Sequence, residues 1–169
     1  LILLLCAPVI TMRLFALEKY SGTFETLMTA PVGDLQVVLA KFTAAIIFYM
    51  LMWLPLIACL FLVQRYTNDS AAFDWGTIGS TYVGIFLLGC LYMSMGCFAS
   101  ALTHSQIIAA MISFALGLAF FSVSFLPDQV NIGTSWLDQA ISYMAMREHM
   151  RDFSRGIIDT RYIVFYLSL

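Results

Sequence analysis

Two runs almost free of charge decide what this chain can fold into. From Phe42 to Gln64 there is no Asp, Glu, Lys, Arg or His, and between Asp74 and Asp128 the one side chain of those types is His104. An apolar helix of about 20 residues crosses the roughly 30 Å hydrocarbon core of a bilayer. Phe42–Val63 is therefore expected to form one span. The second run is too long for one span and long enough for two. It divides at Leu102-Thr103-His104-Ser105-Gln106, a short polar knot. That division predicts helices over Gly79–Ala101 and Gln106–Leu126, the second ended by Pro127-Asp128.

The overall composition points the same way. Charged residues make up 11% of the chain and hydrophobic ones 62%, with a mean hydropathy of +0.91. Soluble domains run at about 25% charged residues. A soluble fold of this size has no interior large enough for so much apolar surface, and disorder requires the opposite composition. The expected class is all-α, a polytopic membrane protein in contact with the lipid bilayer. Leu1–Ile10 and Tyr162–Leu169 are apolar but each too short to span alone. The first has no initiating Met, basic region or cleavage site and does not read as a signal peptide. The chain is expected to be a fragment cut within a helix at each end, lacking the first helix and most of the last.

Small residues mark contacts between helices in lipid, where hydrophobic collapse offers no drive. Ala109, Ser113 and Gly117 recur at i+4, and Gly89, Gly96 and Ser100 share another face. Pro55 lies within the Phe42 span and is expected to kink it. No Asp, Glu, Lys or Arg lies inside a complete span, which argues against an ion-coupled carrier.

The polar segments carry the local signals. Ser21-Gly22-Thr23 and Ala30-Pro31-Val32-Gly33-Asp34 read as turns. Between them Phe24–Met28 can form a short helix with Thr23 as its N-cap and Glu25 in its first turn. Asp34 can cap the helix that continues through Lys41 into the Phe42 span, and Gln64–Ile78 reads as a short polar loop. In 127–161, Tyr143, Met146, Met150 and Phe153 recur at helical spacing, with Arg147, Glu148, Arg151, Asp152 and Arg155 on the other face. This predicts an amphipathic helix at the membrane surface, with Gly156 as C-cap and Asp159-Thr160 starting the final helix.

Several function classes fall away. A net charge of −2 and a pI near 5.5 supply no basic patch, so nucleic acid is not an expected partner. Cys6, Cys59, Cys90 and Cys97 sit in apolar runs without CxxC spacing and read as small hydrophobes. There is no P-loop and no G-x-S-x-G elbow, so no enzyme activity, cofactor or metal site is expected. His104 is expected in an interfacial turn and His149 on a solvated or interfacial face. Asn68-Asp69-Ser70 matches a glycosylation sequon, a weak pattern. The aromatic spans, with Tyr49, Trp53, Tyr92, Phe120 and Phe121, suit an amphiphilic cargo and equally suit ordinary lipid contact.

The segment Thr11–Val32, TMRLFALEKYSGTFETLMTAPV, resembles the TMR-F-x-x-E-x-x-x-G-T-x-E-x-L-x-T-A-P-V stretch of ABC-2 type transporter permeases. The subgroup it is most similar to includes the gliding-motility permease and the copper-related permease of nitrous oxide reductase clusters. Leu39-Ala40-Lys41-Phe42, Ser100–Gln106 and Phe153–Arg161 match in the same order. Gly33, Ala40 and His104-Ser105 depart from the more usual residues at their positions.

The resemblance implies that 1–169 is part of an ABC-2 type transmembrane domain, four to five spans of the six in the full chain, with 11–41 as a cytoplasmic coupling loop and 127–161 outside. It further implies a multi-pass protein of the inner membrane that pairs with a second permease half and docks on an ATP-binding cassette subunit. ATP hydrolysis would then occur in that separate subunit and drive export. Glu18, Gly22, Thr23, Phe24, Glu25, Leu27, Thr29 and Pro31 are the docking residues it implies, with Gly22 reversing the chain. That orientation puts Arg13, Lys19 and Lys41 inside and Arg65, Arg147, Arg151, Arg155 and Arg161 outside, the reverse of a simple positive-inside count. A reading of another class is a non-transporting scaffold for an envelope or motility assembly, with Asp138–Arg155 as its partner surface.

Overall fold

Backbone polar groups in hydrocarbon have no water to bond, so a segment that crosses must satisfy them internally. The computed structural model describes residues 2–29, 33–67, 74–125, 146–157 and 159–168, and among these the regular structure is entirely helical. The elements are α1 (Ile2–Thr11), α2 (Ala16–Ser21), α3 (Thr23–Met28), α4 (Asp34–Thr67), α5 (Trp75–Leu102), α6 (Gln106–Val123), α7 (Met146–Phe153) and α8 (Thr160–Ser168). Three of them, α4, α5 and α6, are long and apolar enough to cross a membrane.

The three spans fall on the charge-free runs, with shifted ends. α4 begins at Asp34 and continues to Thr67, passing through Pro55, so it outruns Phe42–Val63 in both directions. Asp34 is its first helical residue, not the residue before it. α5 starts at Trp75, a turn earlier than expected, because Asp74 caps it: the Gly76 amide donates to Asp74 Oδ1 at 3.0 Å and the Thr77 hydroxyl to Oδ2 at 2.6 Å. The Thr77 hydroxyl first, then the Gly76 amide, hold this carboxyl below its ordinary range. The polar loop expected over 64–78 is thus shorter, and Asn68-Asp69-Ser70 lies outside the described residues, as do Leu126, Pro127-Asp128, Asp138 and Tyr143.

Helix α5 is central: α1, α4, α6, α7 and α8 all pack against it. Half of its most apolar stretch is buried within the protein, against 6% for α4 and 17% for α6, so most of those two helices faces outward. Close approach is made at small residues. Gly89 receives the ring of Tyr49 from α4, Gly96 the side chain of Thr11 from α1, and Gly84 the ring of Phe153 from α7. Gly117 of α6 faces the ring of Tyr92, whose hydroxyl lies 3.5 Å from the Gly117 carbonyl. The Ala109, Ser113, Gly117 stripe is buried as expected. The Gly89, Gly96, Ser100 face is buried too, but each residue meets a different element.

The Met146–Phe153 helix turns its apolar face into the protein. Phe153 is fully buried against α5, and Ser80 Oγ donates to the Phe153 carbonyl at 2.6 Å. His149 is not solvated; it is 2% exposed, stacked on Tyr162 at 4.1 Å and edge-on to Phe165 and Tyr166. Burial pushes its imidazole below the ordinary value, and the nearby Asp152 only partly opposes this. Arg147, Arg151 and Arg155 stay exposed on the other face. The helix ends in a Schellman pair, with the Ile157 amide bonding Asp152 O and the Gly156 amide bonding Phe153 O, and Gly156 at φ +82°. Asp159 then starts α8 by accepting the Arg161 amide at 3.0 Å.

Candidate functional site

One end of the bundle gathers α2, α3, the start of α4, the end of α5 and the Thr103–Ser105 link. The other gathers the start of α5, the end of α4 near Trp75, and α7. Of the 11–41 segment, Thr11 closes α1 and Asp34–Lys41 belongs to α4, so the part that stands apart is the α2–α3 hairpin.

The hairpin turns at Gly22, whose φ of +74° is the left-handed conformation that side chains disfavour. Gly22 is also the residue that precedes α3, so the expected N-cap, Thr23, is instead the first residue of that helix. Its hydroxyl turns back to Ser21 Oγ at 2.8 Å and to the Glu18 carbonyl at 3.5 Å, bracing the reversal rather than capping α3. Thr23 and Glu25 are exposed at the tip beside Tyr20, which is 78% exposed. Glu25 sits in the first turn of α3, where a negative charge suits the helix dipole.

Below the tip the hairpin is fastened at three points. Ser100 of α5 is fully buried, and its Oγ accepts from both the Phe15 and the Ala16 amides at 3.1 Å. Its hydroxyl donates to the Met12 carbonyl at 3.3 Å. The residue before α2, Phe15, has no capping side chain of its own, so a serine 84 residues away satisfies the first amides of that helix. Lys41 of α4 makes the second fastening: Nζ pairs with Glu18 Oε1 at 2.5 Å, donates to the Leu14 carbonyl at 2.5 Å and lies 4.9 Å from the Phe15 ring centroid. Lys19 makes the third, donating to the Ala101 carbonyl and lying 5.5 Å from the Phe24 ring.

The eight residues singled out from the sequence therefore separate. Gly22, Thr23, Glu25 and Thr29 are exposed on the hairpin, while Phe24 and Leu27 are half-buried. Glu18 turns inward to Lys41, and its Oε2 is buried without a hydrogen-bond partner among the described residues. Pro31 lies outside those residues. Ser100, Lys41 and Lys19 were not among the eight. Lys41 follows directly on the matched Leu39-Ala40, and Ser100 opens the matched Ser100–Gln106 stretch, so both stood within the signal.

The hairpin is an exposed projection whose base is bonded to two spans. That arrangement can carry a displacement between an outside contact and the bundle, and among the described residues it brings together no nucleophile with a base. A family model described as "ABC-2 family transporter protein" matches residues 1–157. No curated protein and no solved structure matches the chain.

Proposed function

The chain belongs to the ABC-2 transporter family, and on that premise we propose that it couples ATP hydrolysis in a separate ATP-binding cassette subunit to transport. The α2–α3 hairpin is the contact for that subunit, with Thr23, Phe24, Glu25, Leu27 and Thr29 around the tip and Gly22 setting the turn. Glu18 acts from within, holding the hairpin to α4 through Lys41. The protein works as an exporter in the inner membrane, paired with a second permease half, and the resemblance of Thr11–Val32 to the gliding-motility and copper-processing permeases supports a reading within that subgroup. The observation that carries this reading is the hairpin's construction: an exposed tip and a base bonded to α4 and α5. The apolar face of α7 is used inside the protein against α5, so a scaffold partner at Asp138–Arg155 would meet the exposed arginine face of that helix.

The test is co-purification with the ATP-binding subunit and its ATPase rate in vesicles. Glu25→Lys reverses an exposed charge at the tip, at a helix-dipole cost of about 0.3–1 kcal/mol, and is expected to weaken association. Gly22→Leu forces a side chain into the left-handed region at a cost of roughly 1–2 kcal/mol and should weaken it further. A Cβ at Gly22 meets nothing within 4 Å, so within the chain the cost begins with backbone strain at φ +74°. Unchanged association and ATPase coupling in both variants would sink docking through this hairpin.

A further inference from the structure

Between the α2–α3 hairpin, the first turns of α4 and the last turns of α5 lies an open cavity of about 550 Å³. Its walls are apolar, with Phe24, Val38, Phe42 and Phe98 among them, and Cys97 lines it too. Phe98 is 60% exposed and Leu39 52%, so the cavity opens sideways from the helices, where lipid lies in a membrane. It lies against Ala101 near the end of α5, next to the Thr103–Ser105 link, the polar break expected from the sequence to end the span.

Two charges of opposite sign line the same cavity, Lys19 and Asp34. The Lys19 ammonium has three donors, and one is used on the Ala101 carbonyl. The Asp34 carboxylate has no ion pair or side-chain hydrogen bond among the described residues. An anionic lipid would meet Lys19 favourably and Asp34 unfavourably. A headgroup with both a phosphate and an N–H-bearing ammonium satisfies both.

We propose that this cavity is a binding site for phosphatidylethanolamine, its acyl chain along Phe42 and Phe98, its phosphate at Lys19 and its ammonium at Asp34. Ammonium and phosphate are compact charges that gain from direct charge-assisted hydrogen bonds. Phosphatidylcholine carries the same charges but its quaternary nitrogen has no N–H to donate. Phosphatidylglycerol has no cation at all.

Native mass spectrometry of the detergent-purified protein, incubated with equimolar dioleoyl forms of the three lipids, tests the site. Phosphatidylethanolamine is expected to be retained roughly threefold to fivefold over phosphatidylglycerol, the range an exposed charge contact supports, with phosphatidylcholine between. Asp34→Asn should erase that preference while total lipid retention stays the same, and Lys19→Gln should lower retention of all three. Cys97→Trp, which fills the cavity, should abolish retention. If that variant fails to fold, the exposed Asp34→Asn change still decides the matter. Equal retention of the three lipids by the unmodified protein overturns the proposal, as does an ethanolamine preference that survives Asp34→Asn. A chain–chain dimer lost on Phe98→Ser, with no lipid preference, would assign the cavity to a second copy and overturn it as well. None of these masses depends on ATP or an ATPase, so failure here leaves hairpin docking standing.

Discussion

Ser100 concentrates in one side chain what holds the hairpin in place. Two amides converge on its Oγ in a fully buried setting, and its own proton is given to a third backbone group. Ser100→Ala would leave both amides without an acceptor, at a cost on the order of 1–3 kcal/mol for each. The variant is therefore expected to lose thermal stability in detergent and to make the α2–α3 hairpin cleavable by trypsin at Arg13 or Lys19. Ser94→Ala is the control, because Ser94 Oγ donates only to the Leu91 carbonyl on its own helix; its effect should stay under about 0.5 kcal/mol. This role was half legible in the sequence. The spacing of Gly89, Gly96 and Ser100 announces a packed face, but the partners of Ser100 arrive from 84 and 85 residues away. No local periodicity encodes that meeting. The same holds for Lys41 and Glu18, whose pairing depends on how α4 leaves the hairpin.

Helix positions were read well from the gaps between charges, since lipid admits few alternatives to a helix. Their ends were read less well: Trp75 and Gly76 look like loop, yet the Asp74 cap starts α5 there. What joins the helices is bulk against glycine, and this gives a test at the scale of the element. A Cβ placed on Gly96 would come within 2.1 Å of Thr11 Oγ1, the side chain of a residue held at the end of α1. Gly96→Ala is expected to destabilise by about 1–3 kcal/mol through overpacking. Gly79→Ala, with nothing within 4 Å, should be neutral or slightly stabilising. Thermal unfolding of the two variants in detergent checks the contrast. The α7 element adds a pH dependence. His149 is buried neutral, with its pKa below the ordinary 6.5, so the unfolded or undocked form binds the proton more readily. Stability of the docked helix is complete above pH 6.5 and falls as the medium is acidified through the window below it. Among the described side chains, the charged group that acts on His149 is Asp152, which accepts the Tyr162 hydroxyl at 2.7 Å and partly offsets the loss. Amide-exchange protection of Met146–Phe153 should decline from pH 7 to pH 5 in the unmodified protein. His149→Phe fits the same aromatic surroundings without titrating and should abolish that decline.

For the whole molecule the open question is which end faces the cytoplasm, and the packing makes it a single question. The end of α5 bonds to α2 through Ser100 and Lys19, while its start bonds to α7 through Ser80. Arg13, Lys19 and Lys41 therefore share one end of the bundle, and Arg147, Arg151 and Arg155 share the other, with Arg147 over the Phe125 ring at 5.2 Å. A count of cations would send the α7 end inward. Two of the three cations at the hairpin end, however, are engaged with Glu18 and backbone carbonyls, so the count measures internal fastening as much as topology. If the hairpin docks on a cytoplasmic ATPase, it must lie inside despite the count. With the four natural cysteines replaced, Ser21→Cys is expected to resist a membrane-impermeant maleimide in intact cells and to react once the membrane is opened. Ser154→Cys, exposed after α7, should react in intact cells. The reverse pattern would turn the molecule over, giving the positive-inside count its usual meaning and removing the hairpin from any cytoplasmic partner. Because the two ends are joined through the one central helix, a single labelled residue at each end decides the orientation of every element packed on it.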